Sequence, residues 1–459
     1  MYSPNRYRGL ILIDILVALA LSSLFILLIS DNSLEASSIF FHAKSRNKLL
    51  LDYIANQNLT TVSIKPYGDD RIEQNIFLTD KDSASSSILF TKVKELTASN
   101  IEDAAGTPIC SVDYFNHSVV GSYEFLSYSI STSSIKITPI SLPIDPLLPI
   151  TDFQIRNGVA YISTDSTIVS DPDILVIDIK DISKPKLLSS INIGPGIQAI
   201  ALAGNHLFGA ATSASAQLHI IRIDSLDSLV LEKKFKLSLP FATATPAFGS
   251  SIFYNKGNIF LGTEKWDGEE FNIINVSNPS VPNKIGGLET NTKINDIWVQ
   301  DNLAYLAGSD QGQLRLVDVS NPNKPVQINS FSPSGWNRQE GRAISLFENN
   351  LNFGRTSGGY NITNALEAFH FGTSSILNFS KYSGIDVSGG VYGIVSDRSH
   401  VYLATRQINK EFQIYDGEYS TSSTLAFSLP VAPQRMTCDG NYIYVLAGTA
   451  PVIYQISFK

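Results

Sequence analysis

The chain has 459 residues and a formal charge of −8, from 34 basic and 42 acidic side chains. That balance excludes the basic footprint of a nucleic-acid-binding protein. Charged residues make up only 17% of the chain, beside abundant Ser, Thr and Asn, which suits an exported fold better than a cytosolic one.

The first informative element is the start. Arg6, Arg8 and Gly9 precede the run LILIDILVALALSSLFILLI, Leu10 to Ile29, in which Asp14 is the only charge. The run is long enough to cross a bilayer as one helix. A carboxylate inside such a helix costs roughly 2.5–3.5 kcal/mol on insertion scales, which marks Asp14 as functional. Arg6 and Arg8 lie before the span and Asp31 and Glu35 after it. The positive-inside bias therefore expects the bulk of the chain outside the cytoplasm. Apolar residues at helical spacing continue through Ala36, Ile39, Phe40, Ala43, Leu50, Leu51, Ile54 and Ala55, with no Pro or Gly from Leu10 to Gln57. One helix over residues 10–58, roughly 70 Å long, is expected. The alternative is a membrane helix followed by a separate short one.

A glycine, then an apolar helix with one acid at the fifth position after it, closely resembles a type IV prepilin. The resemblance implies cleavage by a prepilin peptidase between Gly9 and Leu10 and N-methylation of the new terminus. It also implies that Asp14 pairs with an amine of a neighbouring pilin subunit during filament assembly. The family usually has Glu where this chain has Asp14 and Phe where it has Leu10. The mid-helix proline common in major pilins is absent. These departures suit a minor pilin or pseudopilin. A cleaved secretory signal would have a shorter apolar core and a better cleavage site than Leu34-Glu35-Ala36, and a plain anchor would need neither Gly9 nor Asp14.

Residues 59–132 follow as a small head, with strand-like stretches at Ile88–Val93, Cys110–Phe115 and Tyr123–Ile130. By analogy with pilins it is expected to be α+β.

From residue 133 the chain is repetitive. ILVIDIKDISKPKLL starts at Ile174, FNIINVSNPSVPNKI at Phe271 and LRLVDVSNPNKPVQI at Leu314. Two alternating strands around a tight polar turn precede them, as in ITDFQIRNGVAYIST from Ile150 and INDIWVQDNLAYLAG from Ile294. Hairpins of this kind fall near Asn157, Asn205, Lys256, Asp301, Asn349, Arg398 and Asp439. A period of about 40–50 residues with four short strands per unit is a β-propeller signature. A strand-terminal Asp followed by a Ser-Asn-Pro-x-x-Pro turn resembles the LVIVD-repeat family. Asp178, Asn275 and Asp318 hold the matching position, with an expected structural role in the turn. The last unit lacks its outermost strand and Ile135–Leu142 is spare, so that strand is expected to close the ring. A six-bladed ring with one degenerate unit is the alternative.

The expected fold class is therefore mainly β: a long transmembrane, pilin-like α-helix (10–58, span 10–29) after a leader (1–9), a small α+β head (59–132), and a seven-bladed β-propeller (133–459). Cys110 and Cys438 are the only cysteines, and either one disulfide or two unrelated thiols fits. No zinc-type His/Cys spacing, nucleotide-binding glycine motif or nucleophile elbow is visible, so no metal or cofactor is expected. Asp165, Asp171 and Asp173 share one loop but lack calcium-loop spacing. Trp266, Trp336 and Arg338, in polar turns between strands, are the candidate binding residues.

The function expected is that of a surface protein presenting the propeller for adhesion, through an external protein or glycan ligand, at a type IV pilus or related filament. Its other partners would be pilin subunits, the prepilin peptidase and, through residues 10–29, the bacterial inner membrane, with no nucleic acid. The alternatives are a membrane-anchored extracytoplasmic enzyme of hydrolase type and a pseudopilin of a type II secretion system.

Overall fold

The structure is a computed structural model. It describes residues 135–458 apart from short segments (167, 169, 243, 245–246, 311–313, 333–338, 348–349, 357–364, 371–379, 386, 398–399, 417–424, 440–441 and 449), and five strands ahead of residue 135. The chain divides into two compact units, 1–102 and 103–459. In the first, Thr61–Pro66, Gln74–Thr79 and Ser85–Leu89 form a three-stranded antiparallel sheet in sequence order. In the second, Ser111–Val112 pairs with Val119–Val120 ahead of the propeller.

Two expectations are corrected by the fold. Among the described residues every element is a strand, so the α part of the expected fold has no counterpart there, and no helix among them is long and apolar enough to cross a membrane. Alternating Val62 and Ile64 in TVSIKP and Ile76 and Leu78 in QNIFLT favour strand over helix in the expected α+β head. The helix expected over 10–58, with Gly9, Leu10 and Asp14, lies outside the described residues. The second correction concerns the blades. Among the described residues, uninterrupted four-strand blades number six, not the seven counted from hairpins; they span 150–191, 197–235, 249–288, 294–331, 341–385 and 391–427. The seventh hairpin, Pro433–Asp439 with Tyr442–Ala447, belongs to a composite sheet with Val452–Phe458 and, from ahead of the first blade, Ile135–Ser141. Ile135–Ser141 pairs antiparallel along the full length of Val452–Phe458, from Val452 opposite Ser141 to Phe458 opposite Ile135.

Each sheet begins with an inner strand: Ile150–Arg156, Ile197–Ala203, Gly249–Asn255, Ile294–Gln300, Gly341–Phe347, Val391–Ser396 and Pro433–Asp439. Each inner strand contacts the next, and the last contacts the first, which closes the ring. The hairpin turns are built as the polar dipeptides expect. Asn157 and Gly158 take φ of 55° and 70°, Lys256 and Gly257 take 48° and 81°, and Asp301 takes 54°, the left-handed geometry of a two-residue hairpin. After the third strand, Asp178 accepts the Lys180 amide at 2.9 Å, Asn275 that of Ser277 at 3.3 Å and Asp318 that of Ser320 at 2.8 Å. A second such turn follows at once, where Asp181, Asn278 and Asn321 accept the amides of Ser183, Ser280 and Asn323. The strand-terminal Asp178, Asn275 and Asp318 therefore have the structural role expected of them.

The core is divided. One apolar cluster lies between each neighbouring pair of sheets, for example Tyr161, Val176, Ile200 and Ile221 between the first two blades. Second strands are sandwiched on both faces, so all of Val159–Thr164 is buried. Fourth strands are half-exposed, as in Lys186–Ile191. At the closure, Ile140 and Leu142 pack with Tyr444, Leu446 and Ile453 against the first blade.

A chain beginning at Pro146 is therefore expected to melt well below one beginning at Ser133, because it leaves Val452–Phe458 as a bare edge and uncovers Ile453. Equal melting temperatures would contradict the closure.

Candidate functional site

The inner strands carry a device that repeats around the ring. In every sheet the register between the inner strand and its partner shifts after the first inner residue, a β-bulge at the second position. A bulge bends the strand and re-aims a side chain. The bulged residues are Thr151, Gln198, Ser250, Asn295, Arg342, Tyr392 and Gln434, all of them polar or carrying a polar group.

Five of these seven reach across to another blade. The Thr151 hydroxyl donates to the Ile197 carbonyl and that of Ser250 to the Ile294 carbonyl. The Asn295 amide donates to the Gly341 carbonyl at 2.8 Å and that of Gln434 to the Thr151 carbonyl at 3.4 Å, across the closure. Gln198 donates to the Asp165 carboxylate. The following residues add a second tier. Asp152 accepts the Ile200 amide at 2.9 Å, Asp296 accepts the Ile344 amide at 2.8 Å, and Gln154 both accepts the Leu202 amide and donates to the Ile200 carbonyl. These bonds supply partners that an inner strand lacks on its channel edge.

A cavity of about 180 Å³ lies inside the ring, lined by residues of all seven inner strands, Asp152, Asp296, Tyr392 and Arg435 among them. Burial pushes the Asp296 carboxyl up to about 6, against the pull of Arg435 and two backbone amides, and burial raises Asp152 as well. Arg435 Nε lies 3.8 Å from Asp152 Oδ1, beyond hydrogen-bond length. The neighbouring Arg435 charge, with burial, pushes Arg342 down to about 10. Arg406 stacks on the Tyr392 ring, its guanidinium carbon 3.8 Å from the centroid, and Arg342 approaches the same ring at 5.8 Å. The Nε atoms of Arg342 and Arg435 are buried without a hydrogen-bond partner among the described residues.

The residues singled out from sequence lie elsewhere. Trp266 is only 7% exposed; it packs in the core between two blades and its indole N–H donates to the Glu269 carbonyl at 3.0 Å. It is thus a packing residue rather than an exposed anchor. Trp336 and Arg338, like Gly9, Leu10 and Asp14, lie outside the described residues. Cys438 is buried and disulfide-bonded, and Cys110, the chain's other cysteine, lies outside the described residues. The Asp165, Asp171 and Asp173 loop is occupied by the protein's own donors: Thr212 and Gln198 on Asp165, Ser166 on Asp171, and the Ile193 and Gly194 amides on Asp173. Among the described residues no group of His, Cys, Asp or Glu could hold a metal ion.

Sequence reasoning missed Arg342, Arg435 and the channel acids. The visible signal was an acid at the third position of two inner strands, ITDFQIR and INDIWVQ. It also missed the polar residue just ahead of several third strands. Glu270 accepts the Thr290 and Asn291 amides, Gln217 that of Leu237 and Glu411 that of Leu429, each fastening the loop after the fourth strand.

The Asp296 shift has a testable sign. Its folded value of about 6 exceeds the ordinary 3.8, so its contribution to stability is full below pH 3.8 and is lost as pH rises toward 6. His219, pushed down to about 4 by burial and Lys234, acts oppositely, losing stability as pH falls from 6.5. Subtracting the unfolding free energy of Asp296→Asn from that of the unsubstituted protein cancels His219. The difference should decline between pH 4 and 6 with a slope approaching about 1.4 kcal/mol per pH unit. A flat difference would contradict a buried, shifted carboxyl.

The family described as LVIVD repeat matches residues 266–290 and 293–332. A comparison with curated proteins gives no match. Among solved structures, the chain is similar to a catalytically inactive variant of virginiamycin B lyase from Staphylococcus aureus with quinupristin, at TM-score 0.53 and 12% identity over 71% of this chain and 100% of that one. The selenomethionine form of that lyase gives 0.51 and 11% over 71% and 100%. Raptor from Chaetomium thermophilum gives 0.50 and 11% over 70% of this chain and 28% of that one. At such identities the likeness concerns the fold alone. The chain carries LVIVD repeats, and they lie within a β-propeller.

Proposed function

We propose that this chain is a surface-tethered binding protein whose propeller captures an external partner and catalyses nothing. The observation that carries the reading is the state of the two channel carboxylates. Asp152 and Asp296 are the groups best placed for acid–base work, and both already accept backbone amides of the neighbouring blade. These bonds give both carboxylates a structural task, holding neighbouring blades together, which accounts for their presence in the channel without chemistry. The rigid inner strands fix the channel's polar groups in place, which suits recognition.

Tethering rests on the N-terminal sequence. The basic leader, Gly9 and the apolar run with its single acid Asp14 support prepilin-type processing and a place as a minor pilin or pseudopilin in a filament. The propeller would then be presented outside the cytoplasm for adhesion to a protein or glycan.

In a host with a prepilin peptidase, mass spectrometry of the mature protein should find Leu10 as the first residue. A chain still starting at Met1 would refute the processing. Asp14→Ala should leave the propeller's melting temperature unchanged while abolishing filament incorporation. Binding is tested by running cell and glycan arrays beside a broad hydrolase screen on the full chain. Specific binding without turnover is expected, and robust turnover without binding would overturn the reading.

A further inference from the structure

We propose that the channel holds a small-molecule oxyanion, a carboxylate, phosphate or sulfate group, gripped by the guanidinium of Arg435 on the cavity wall and by that of Arg342 beside it. The inference deepens the binding reading above and rests on it.

The starting point is a break in the repeat. At the bulge position, five of the seven residues fasten one blade to another. Arg342 occupies the equivalent place in the fifth blade and makes no such bond; its Nε is buried without a partner among the described residues. Only Arg342 and its neighbour Tyr392 depart from the pattern, and the two lie together, with the Arg342 guanidinium carbon 5.8 Å from the Tyr392 ring centroid; departures from an otherwise consistent repeat are where function is expected. Arg435, at the third position of the closing sheet's inner strand, lines the cavity. The third-position acids of the first and fourth blades each accept a backbone amide of the next blade, whereas Arg435 Nε is buried and lacks a partner within bonding distance.

The Tyr392 ring beside the Arg342 guanidinium lines the cavity together with Arg435, and the Arg435 charge acts on Arg342. Placing like charges together under partial burial is costly unless something compensates. The available acids compensate incompletely. Asp152 sits 3.8 Å from Arg435 and gives its other oxygen to Ile200. The two Asp296 oxygens accept the Ile297 and Ile344 amides. Arg406, stacked on the Tyr392 ring, adds a third positive charge. A guanidinium presents a planar fork that matches an oxyanion bidentately. The cavity of about 180 Å³ between the inner strands also offers apolar walls at Phe153, Trp298 and Met436. It therefore fits a small molecule with an anionic head and a compact, partly apolar body rather than a polymer chain.

The test is thermal unfolding and titration calorimetry of the full chain with phosphate, sulfate, acetate and glucuronate, and with glucose as the neutral control. At least one oxyanion should raise the melting temperature with saturation, as binding to the folded state requires, and glucose should not. Comparing the carboxylates with phosphate and sulfate identifies the head group. Arg342→Met and Arg435→Met should each weaken that affinity at least tenfold, with Arg342→Lys retaining part of it. The melting temperature of each variant without ligand reports whether it folds, and phosphorus NMR line widths of added phosphate give a second readout on any that melts early. No saturable response to any oxyanion, or responses unchanged by both substitutions, would overturn the proposal. If the arrays still showed specific capture of a macromolecule, the binding reading would stand and only the anion site would fall.

Discussion

A ring of sheets leaves each inner strand with a ladder partner on one side only. Its other edge turns backbone donors and acceptors toward the channel, where they must find partners or cost about 1–3 kcal/mol apiece. The protein meets this constraint with side chains. A bulge at the second inner residue aims a polar group across to the neighbouring blade, and acids or amides one to three positions later meet the next backbone amides and carbonyls. The divided core follows from the same geometry, since each apolar cluster belongs to two sheets and packs only when they are held in register. The closure uses all three means: strand pairing through Ile135–Ser141, the Gln434 bond to Thr151, and Asp439 accepting the Gly158 amide in the first hairpin turn.

Function is read from departures from that pattern. A polar residue that fastens two blades is accounted for by stability alone. Arg342 sits where such a residue is expected, Arg435 lines the cavity, and each leaves a buried donor unused. The structural relatives share the ring and not the residues, with identities of 11–12%, so the likeness carries the scaffold and no chemistry.

Much of the fold was legible in the sequence because its signals are local. Asn157-Gly158 and Asp301-Asn302 specify tight turns through left-handed backbone, and Asp178, Asn275 and Asp318 specify the turn after the third strand through one side-chain bond each. The spare strand before the first hairpin was legible because the last unit was short of one. The channel was not legible, because its residues come from seven strands spread from Asp152 to Cys438 and meet only when the ring closes. The bulges were hidden for a related reason: a polar residue at the start of an apolar strand reads as ordinary alternation. Trp266 misled because a tryptophan among Asp, Gly and Glu looks exposed, whereas its ring fills the gap between two blades and its N–H is satisfied within the same turn.

The dependence of the ring on its side-chain stitches is open to direct measurement through amide hydrogen exchange at Ile200 and Ile344. Neither amide is bonded across the channel edge by backbone; each is held by a carboxylate, Asp152 or Asp296. Both should exchange as slowly as the ladder amides of the buried second strands. In Asp152→Ala the Ile200 amide should lose that protection while Ile344 keeps it, and Asp296→Ala should do the reverse. Fast exchange at both sites in the unsubstituted protein, or protection indifferent to both substitutions, would contradict the idea that the channel carboxylates stitch the blades together.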